Sequence, residues 1–141
     1  MNITHTPTQK DLFDIMRIRI DVFVCEQKVD PRIEVDEYDS IAIHFLLRTN
    51  YGVPIACCRL VFIEGCYKLG RLAVLKDYRR KGFASALIAA VEKYARQQKI
   101  KELHLNSQIA AIELYTQNGY VSYGDIFIEA NIPHISMVKK L

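Results

Sequence analysis

Apolar residues recur along the chain at two spacings, one typical of amphipathic helices and the other of strands. Helical spacing predicts a first helix over residues 8–23, with Thr8 as its N-cap. It also predicts a central helix that begins after Gly82 and a shorter helix over residues 108–117, which Asn118-Gly119 would end. Alternating or continuous apolar runs predict strands at residues 41–47, 55–63, 66–75, 101–105, 120–123, 126–129 and 134–140.

The order of these elements indicates the class of fold. Helices come first, three strands follow, and then helices and strands alternate to the end of the chain. This order predicts an α/β (α+β) domain in which a mixed sheet carries helices on both faces. With 141 residues and no repeat, low-complexity segment or linker, residues 1–141 are expected to form a single domain.

Composition and charge exclude several classes of protein. Half of the residues are apolar and 25% are charged, as in ordinary soluble domains. The net charge of +3 is mild and no long basic run is present, so nucleic acid is not an expected partner. The N-terminus lacks the apolar segment of a signal peptide and no stretch has membrane-spanning length, so we expect a cytoplasmic protein without a membrane partner.

The cysteines do not suggest a metal site. Cys25, Cys57, Cys58 and Cys66 show no C-x-x-C spacing. Without that spacing neither a zinc site nor a disulfide framework is indicated, and reduced thiols are expected.

The most informative stretch is residues 69–87, LGRLAVLKDYRRKGFASAL. An apolar strand leads into a cationic turn, then a glycine, then a helix. Such a turn gathers main-chain N–H groups at the positive end of a helix dipole, and Gly82 allows close approach of a ligand because it has no Cβ. Arg79, Arg80 and Lys81 would complement a polyanion. The stretch therefore predicts a pyrophosphate-binding turn, whereas the motifs for ATP (GxxxxGK[ST]) and NAD (GxGxxG) are absent.

Several segments resemble the GNAT N-acetyltransferase superfamily. Arg79-x-x-Gly82-x-Ala84 is similar to its Q/R-x-x-G-x-G/A signature and follows a Leu-Ala-Val strand. Residues 111–120, AIELYTQNGY, resemble its A-x-x-L/F-Y-x-x-x-G-F segment, with Tyr120 in place of Phe. Residues 19–29, RIDVFVCEQKV, and residues 132–137, IPHISM, are similar to the ElaA-like and YjcF-like branch.

This resemblance implies the GNAT fold, with a central mixed, mostly antiparallel twisted sheet and helices on both faces. It implies an N-acetyltransferase that moves an acetyl group from acetyl-CoA to a primary amine by direct attack in a ternary complex, without a metal. The acceptor would be a small molecule such as an amino sugar, an amine or a peptide, and the protein a monomer or homodimer. A non-catalytic acyl-CoA-binding regulatory module is the alternative.

The resemblance also implies which residues bind acetyl-CoA. They are expected at the strand end, the turn and the start of the helix, together with one glutamine: Leu72, Ala73, Val74, Arg79, Arg80, Lys81, Gly82, Phe83, Ala84, Ser85 and Gln108. The main-chain N–H of Val74 would polarise the thioester carbonyl. Tyr115 would protonate the departing CoA thiolate; the alternative is that this tyrosine only packs in the core.

The general base and the acceptor pocket are less closely specified. Glu34 belongs to an acidic loop with Asp36 and Asp39. This loop would attract or deprotonate an ammonium group, with Glu34 as base, or would simply be solvated. Glu26, Gln27 and His134 are expected to contact the acceptor, whereas His44 and His104 are expected to be structural. The identity of the acceptor stays open.

Overall fold

The computed structural model describes residues 1–141. Seven strands form one sheet: β1 (Asn2–Thr4), β2 (Ile43–Arg48), β3 (Pro54–Ile63), β4 (Cys66–Val74), β5 (Glu102–Gln108), β6 (Val121–Glu129) and β7 (Ile132–Lys140). Their spatial order is β1-β2-β3-β4-β5-β7-β6. Every neighbouring pair is antiparallel except β4 and β5, which are parallel. The predicted mixed, mostly antiparallel sheet is confirmed.

Four α-helices accompany the sheet: α1 (Gln9–Arg19), α2 (Pro31–Glu34), α3 (Phe83–Gln97) and α4 (Ile112–Gln117). Three 3₁₀ turns lie at Glu37–Ser40, Lys76–Tyr78 and Ile109–Ala111, and residues Ile20–Glu26 form a π-helical segment. None of the helices combines the length and apolar character that crossing a membrane would require.

The core lies on both faces of the sheet. Two neighbouring residues of β3, Cys57 and Cys58, belong to different apolar clusters, because successive side chains of a strand point to opposite faces. Cys58 belongs to the larger cluster, which includes Leu87 and Val91 of α3. Cys57 belongs to the smaller one, with Ile15 and Ile18 of α1. Helices therefore cover both faces, as predicted.

The start of α1 agrees with the sequence prediction, but its end does not. Thr8 is the N-cap, and its side chain forms a reciprocal capping box with Asp11. The α-helix stops at Arg19 instead of Phe23, and the chain continues as the π-helical segment. At its end Gln27 donates from its main-chain N–H to the carbonyl of Val22, five residues earlier, as in a π-helix. The segment is only 7 residues long, which is too short for its wider turn to be recognised from the spacing of apolar residues.

The closing strands are two rather than three. The predicted break between residues 123 and 126 is a bulge inside β6, where the pairing with β7 shifts between Tyr123 and Phe127. Gly124 takes a left-handed backbone there, with φ +74°. The predicted helix over residues 108–117 is likewise divided into a 3₁₀ turn and α4.

Candidate active site

The two parallel strands separate shortly after they meet. β4 and β5 are paired only at Lys68 with His104 and at Leu69 with Leu105. Beyond these residues they diverge, and a cavity of about 550 Å³ reaches the gap. Leu72 of β4 and Gln108 of β5 both line it. The cavity therefore includes the opening between the two strands. In this opening the main-chain groups of β4 and β5 do not pair with each other.

A bulge in β4 accompanies this divergence. Arg59 is paired with Gly70, and Cys57 is paired with Ala73. Two residues of β4, Arg71 and Leu72, are therefore opposite a single residue of β3. Arg71 adopts a left-handed backbone with φ +52°, which is unfavourable for a residue with a side chain.

The register of β4 also orients the main chain of Val74. The N–H of Leu75 donates to the carbonyl of Ile55 on β3 at 2.9 Å. Because successive residues of a strand direct their main-chain groups to opposite edges, the N–H of Val74 is directed to the edge from which β5 has separated. The carbonyl of Val74 accepts a hydrogen bond from Nε of Arg79 at 2.8 Å.

The cationic turn leads directly into α3. Gly82 is the N-cap with φ +85°, and no side chain caps the helix. The first intrahelical bond runs from the N–H of Ala86 to the carbonyl of Gly82 at 3.0 Å. The preceding N–H groups, those of residues 83–85, are the ones that a helix leaves without intrahelical partners. This helix start has the geometry of an anion site.

Arg79 forms an ion pair with Glu26 in this structure. Its guanidinium donates to both carboxylate oxygens of Glu26, at 2.9 and 2.8 Å. The hydrogen bond from Arg79 lowers the pKa of Glu26 below its ordinary value. Glu26 does not line the cavity. The structure therefore places this residue, expected at the acceptor, beside the cationic turn instead.

Tyr115 contributes to the cavity wall from α4. Only 8% of the residue is exposed, and its ring packs edge to face on Tyr120 with 6.1 Å between centroids. Burial raises the pKa of Tyr115 far above its usual value, so the phenol stays protonated at neutral pH. Tyr115 therefore packs in the core and also lines the cavity.

The acidic loop is not a solvated loop. Its carboxylates pair with three arginines, and we call these six residues the arginine–carboxylate network: Arg19, Arg59, Arg71, Glu34, Asp36 and Asp39. Nε of Arg19 lies 3.3 Å from Oε1 of Glu34, and Nε of Arg71 lies 3.1 Å from Oε2. Both oxygens of Glu34 are therefore paired, and only 3% of that residue is exposed.

Burial and pairing have opposite effects on these carboxyl groups. Burial raises the pKa of Glu34 above its ordinary value, against the opposing charges of Arg71 and Arg19. Burial acts in the same direction on Asp39. There the hydrogen bonds from Arg19 and from the main chain of Asp36 outweigh it and hold the pKa well below its usual range.

Sequence reasoning did not identify these three arginines as a group. One signal was present: Arg59 interrupts an apolar strand, and Arg19 follows Ile15 and Ile18 on a helix whose apolar face is buried. A cation in such a position is rarely buried without a partner. The acidic loop supplies those partners.

The structure brings some of the expected residues together and leaves others apart. Those that line the cavity are Gln27, Glu34, Leu72, Gln108, Tyr115 and His134. Those that do not are Glu26, Ala73, Val74, Arg79, Arg80, Lys81, Gly82, Phe83, Ala84 and Ser85. Nε2 of Gln108 donates to Oε1 of Gln27 at 2.8 Å, which joins the end of β5 to the segment that follows α1.

The chain is similar to known acetyltransferases. The family described as "Acetyltransferase (GNAT) domain" matches residues 44–141. YjcF of Bacillus subtilis, described as an uncharacterized N-acetyltransferase, is 33% identical over 132 residues, which cover 93% of this chain and 94% of YjcF.

Solved structures show the same architecture. An acyl-CoA N-acyltransferase from Pseudomonas aeruginosa superposes with a TM-score of 0.85 at 27% identity, covering 98% of this chain and 97% of the other. Escherichia coli ElaA gives a TM-score of 0.83 at 22% identity, with the same coverage of both chains.

Proposed function

The chain belongs to the GNAT acetyltransferase family, and from this premise we propose that it transfers an acetyl group from acetyl-CoA to a primary amine of a small molecule. The observation that carries the proposal is the divergence of β4 from β5 next to the uncapped start of α3. Tyr115 lines the cavity at this divergence. The acceptor class comprises amino sugars, simple amines and peptide amines.

The CoA moiety would occupy both parts of this arrangement. The pyrophosphate would accept hydrogen bonds from the main-chain N–H groups at residues 83–85, with Arg80 and Lys81 as neighbouring cations. The pantetheine arm would then lie along Leu72, Ala73 and Val74, in the gap where β5 has diverged from β4. The N–H of Val74 is directed to this edge and would polarise the thioester carbonyl.

Tyr115 is proposed to protonate the leaving sulfur. A free thiol has a pKa of about 8.5, so the departing thiolate takes up a proton at neutral pH, and the protonated phenol in the cavity is the group that would supply it. No side-chain or main-chain group of the chain holds the Tyr115 hydroxyl in a hydrogen bond, so its proton would be free to move to the sulfur. The two proposed partners, amine and thioester, would be held in one cavity, which favours direct attack.

A first experiment tests the phosphate turn. Wild type, Gly82→Asp and Gly82→Asn are titrated with acetyl-CoA by calorimetry, with ATP and NAD as comparison ligands. Asp and Asn both tolerate a left-handed backbone and have nearly the same shape, so the pair isolates the added negative charge. We expect micromolar binding by wild type, binding at least about tenfold weaker in Gly82→Asp than in Gly82→Asn, and none for ATP or NAD.

A second experiment tests transfer. Wild type is incubated with acetyl-CoA and one of three amines: glucosamine, a primary alkylamine or a peptide with a free amino terminus. The masses of the products are measured by mass spectrometry. An acetylated amine supports the proposal. Tight acetyl-CoA binding without any acetylated amine would favour the non-catalytic acyl-CoA-binding module, and absence of binding by folded protein would overturn both functions.

A further inference from the structure

His134 lies on the wall of the candidate active site. In the sheet it is paired with Gln108 of β5 on one side and with Phe127 of β6 on the other. Only 6% of the residue is exposed, and it lines the same cavity as Tyr115. The ring of Phe127 stacks on the imidazole with 5.9 Å between centroids and 23° between planes, which fixes the orientation of the imidazole.

One hydrogen bond determines which nitrogen carries the proton. Nδ1 of His134 lies 2.6 Å from the carbonyl oxygen of Ile132. A carbonyl oxygen only accepts, so Nδ1 must donate, and in the neutral ring Nε2 is then the nitrogen with the free lone pair. Nε2 makes no hydrogen bond within the chain, and its nearest charged neighbour is Oε2 of Glu129 at 3.7 Å.

The carboxylates of the cavity are less suited to proton removal. Both oxygens of Glu34 are paired with arginines, and Asp36 is paired with Arg59 and Arg71. Glu64 and Glu129 are solvent-exposed residues at the wall. His44 and His104 do not line the cavity. The imidazole of His134 is therefore the one buried base at this wall whose lone pair has no partner in the chain.

We propose that His134 is the general base that deprotonates the acceptor ammonium group, with Glu129 as the residue that stabilises the resulting imidazolium. This inference rests on the proposed function and replaces Glu34 in that role. Nε2 takes one proton from R–NH₃⁺, and the free amine attacks the thioester carbonyl. The C–S bond then breaks, Tyr115 gives its proton to sulfur, and the second proton of the attacking nitrogen restores the phenol. The proton on His134 passes to solvent, so the products are amide, CoA thiol and one proton.

This assignment predicts a dependence on pH. Only the neutral imidazole accepts a proton, so kcat/KM is expected to fall as the pH is lowered, which gives the pH profile an acid limb. The groups that face His134 are Glu129 from β6 and the uncharged Gln108 and Asn106 from β5, with Glu64 and Lys68 on the β3–β4 side of the cavity. Arg59 and Arg71 on the remaining wall are paired with the acidic loop.

The test compares pH profiles of acetylation for the fastest amine of the three probes named above. In His134→Asn the amide nitrogen replaces Nδ1 as donor to the Ile132 carbonyl, while Nε2 is lost. We expect kcat/KM at neutral pH to fall about a hundredfold or more, the acid limb to disappear, and acetyl-CoA affinity by calorimetry to stay within about twofold.

Two further variants separate a catalytic role from a structural one. Glu129→Gln removes the carboxylate that favours the charged imidazole, so the acid limb should move to lower pH. Glu34→Gln should retain an acid limb at the wild-type position.

A wild-type profile in His134→Asn would overturn the inference and leave the acetyltransferase function standing. Loss of the limb in Glu34→Gln alone would assign the base to Glu34. If wild type acetylates none of the amines, the proposed function fails, and this inference fails with it.

Discussion

At the scale of single residues, Tyr115 shows how one side chain can serve both packing and chemistry. Its ring contributes to the larger core cluster while the residue also lines the cavity. The burial that fixes the ring also raises the pKa of the phenol. The raised pKa keeps the proton on oxygen before the reaction, but it also makes proton transfer to the weaker base, the thiolate, less favourable. Transfer to sulfur would therefore depend on the simultaneous return of a proton to the phenol from the attacking nitrogen.

Tyr115→Phe removes this proton donor and little else. The phenyl ring retains the edge-to-face contact with Tyr120, and the lost hydroxyl makes no hydrogen bond in the chain. We expect kcat to fall about a hundredfold, with the free energy of unfolding changed by no more than about 0.5 kcal/mol. Steady-state kinetics and urea unfolding measure the two effects. Full activity in Tyr115→Phe would show that sulfur is protonated by another group.

Single residues whose role depends on their immediate neighbours were predictable from sequence. Thr8 as N-cap is confirmed in the structure, and the central helix does begin directly after Gly82. Residues whose role depends on distant partners were not predictable. The pairing of Glu26 with Arg79 joins positions 53 apart in the chain, and no local pattern specifies such a contact. The same reason explains why Glu34 was expected as a base before its two arginines were known.

At the scale of elements, the π-helical segment and the residue that follows it join the two diverging strands. Glu26 pairs with Arg79, which also holds the carbonyl at the end of β4. The next residue, Gln27, accepts a hydrogen bond from Gln108 at the end of β5. Two consecutive side chains thus connect both edges of the gap, and one of them neutralises a cation of the proposed phosphate turn.

Glu26→Gln is expected to strengthen binding of CoA. The change removes a negative charge beside the turn and leaves Arg79 available to the phosphates. At low salt the dissociation constant should decrease two- to fivefold, which corresponds to roughly 0.5–1 kcal/mol. The effect should diminish as salt is added, because this pair is half-exposed and its charges are screened.

The matched control is Glu37→Gln, an exposed residue whose carboxylate makes no ion pair. It changes the net charge by the same amount without touching Arg79, and calorimetry with CoA should give the wild-type affinity. Equal effects of the two substitutions would mean that total charge, and not the pairing of Arg79, governs affinity. Weaker binding in Glu26→Gln would show that the pair supports the turn.

The existence of most elements followed from periodicity, but the irregularities that build the site did not. The central helix and the two strands on either side of residues 64–65 agree with prediction. The bulge at Arg71 and the π-helical segment were missed. One extra residue shifts the apolar pattern by one position, and within a short element such a shift cannot be distinguished from ordinary irregularity in the spacing of apolar residues. The bulge and the π-helical segment are therefore the features that the apolar pattern predicts least well.

At the scale of the whole molecule, the arginine–carboxylate network fastens the acidic loop to the sheet. Arg19 extends from α1, while Arg59 and Arg71 extend from β3 and β4. All three converge on carboxylates within residues 34–39. The loop forms part of the cavity wall through Glu34 and Asp36. The network therefore couples the shape of the candidate site to the stability of the fold.

Arg19→Met tests this coupling. The side chain of Arg19 is 1% exposed and pairs with Glu34 and Asp39. After the change Glu34 keeps Arg71 and Asp39 keeps Arg59, so each buried carboxylate loses one of its two arginines. We expect a cost of about 3 kcal/mol, the lower end of the range for breaking a buried pair. Arg17→Met on the same helix is the matched control: its side chain is 81% exposed and approaches Asp14 only to 4.0 Å. For such an exposed pair we expect a change of no more than about 0.5 kcal/mol.

Urea unfolding followed by circular dichroism measures both variants under the same conditions. A large loss in Arg19→Met with almost none in Arg17→Met would identify the network, and not the charge of α1, as the stabilising feature. If both variants have the wild-type free energy of unfolding, the apolar packing of Met compensates for the buried ion pairs that Arg19 makes. The loop would then be held mainly by its own turns, the capping box at Asp36 and the helix cap at Asp30. In that case Arg19→Met should also leave the affinity for acetyl-CoA unchanged, because the cavity wall would keep its shape without the arginine.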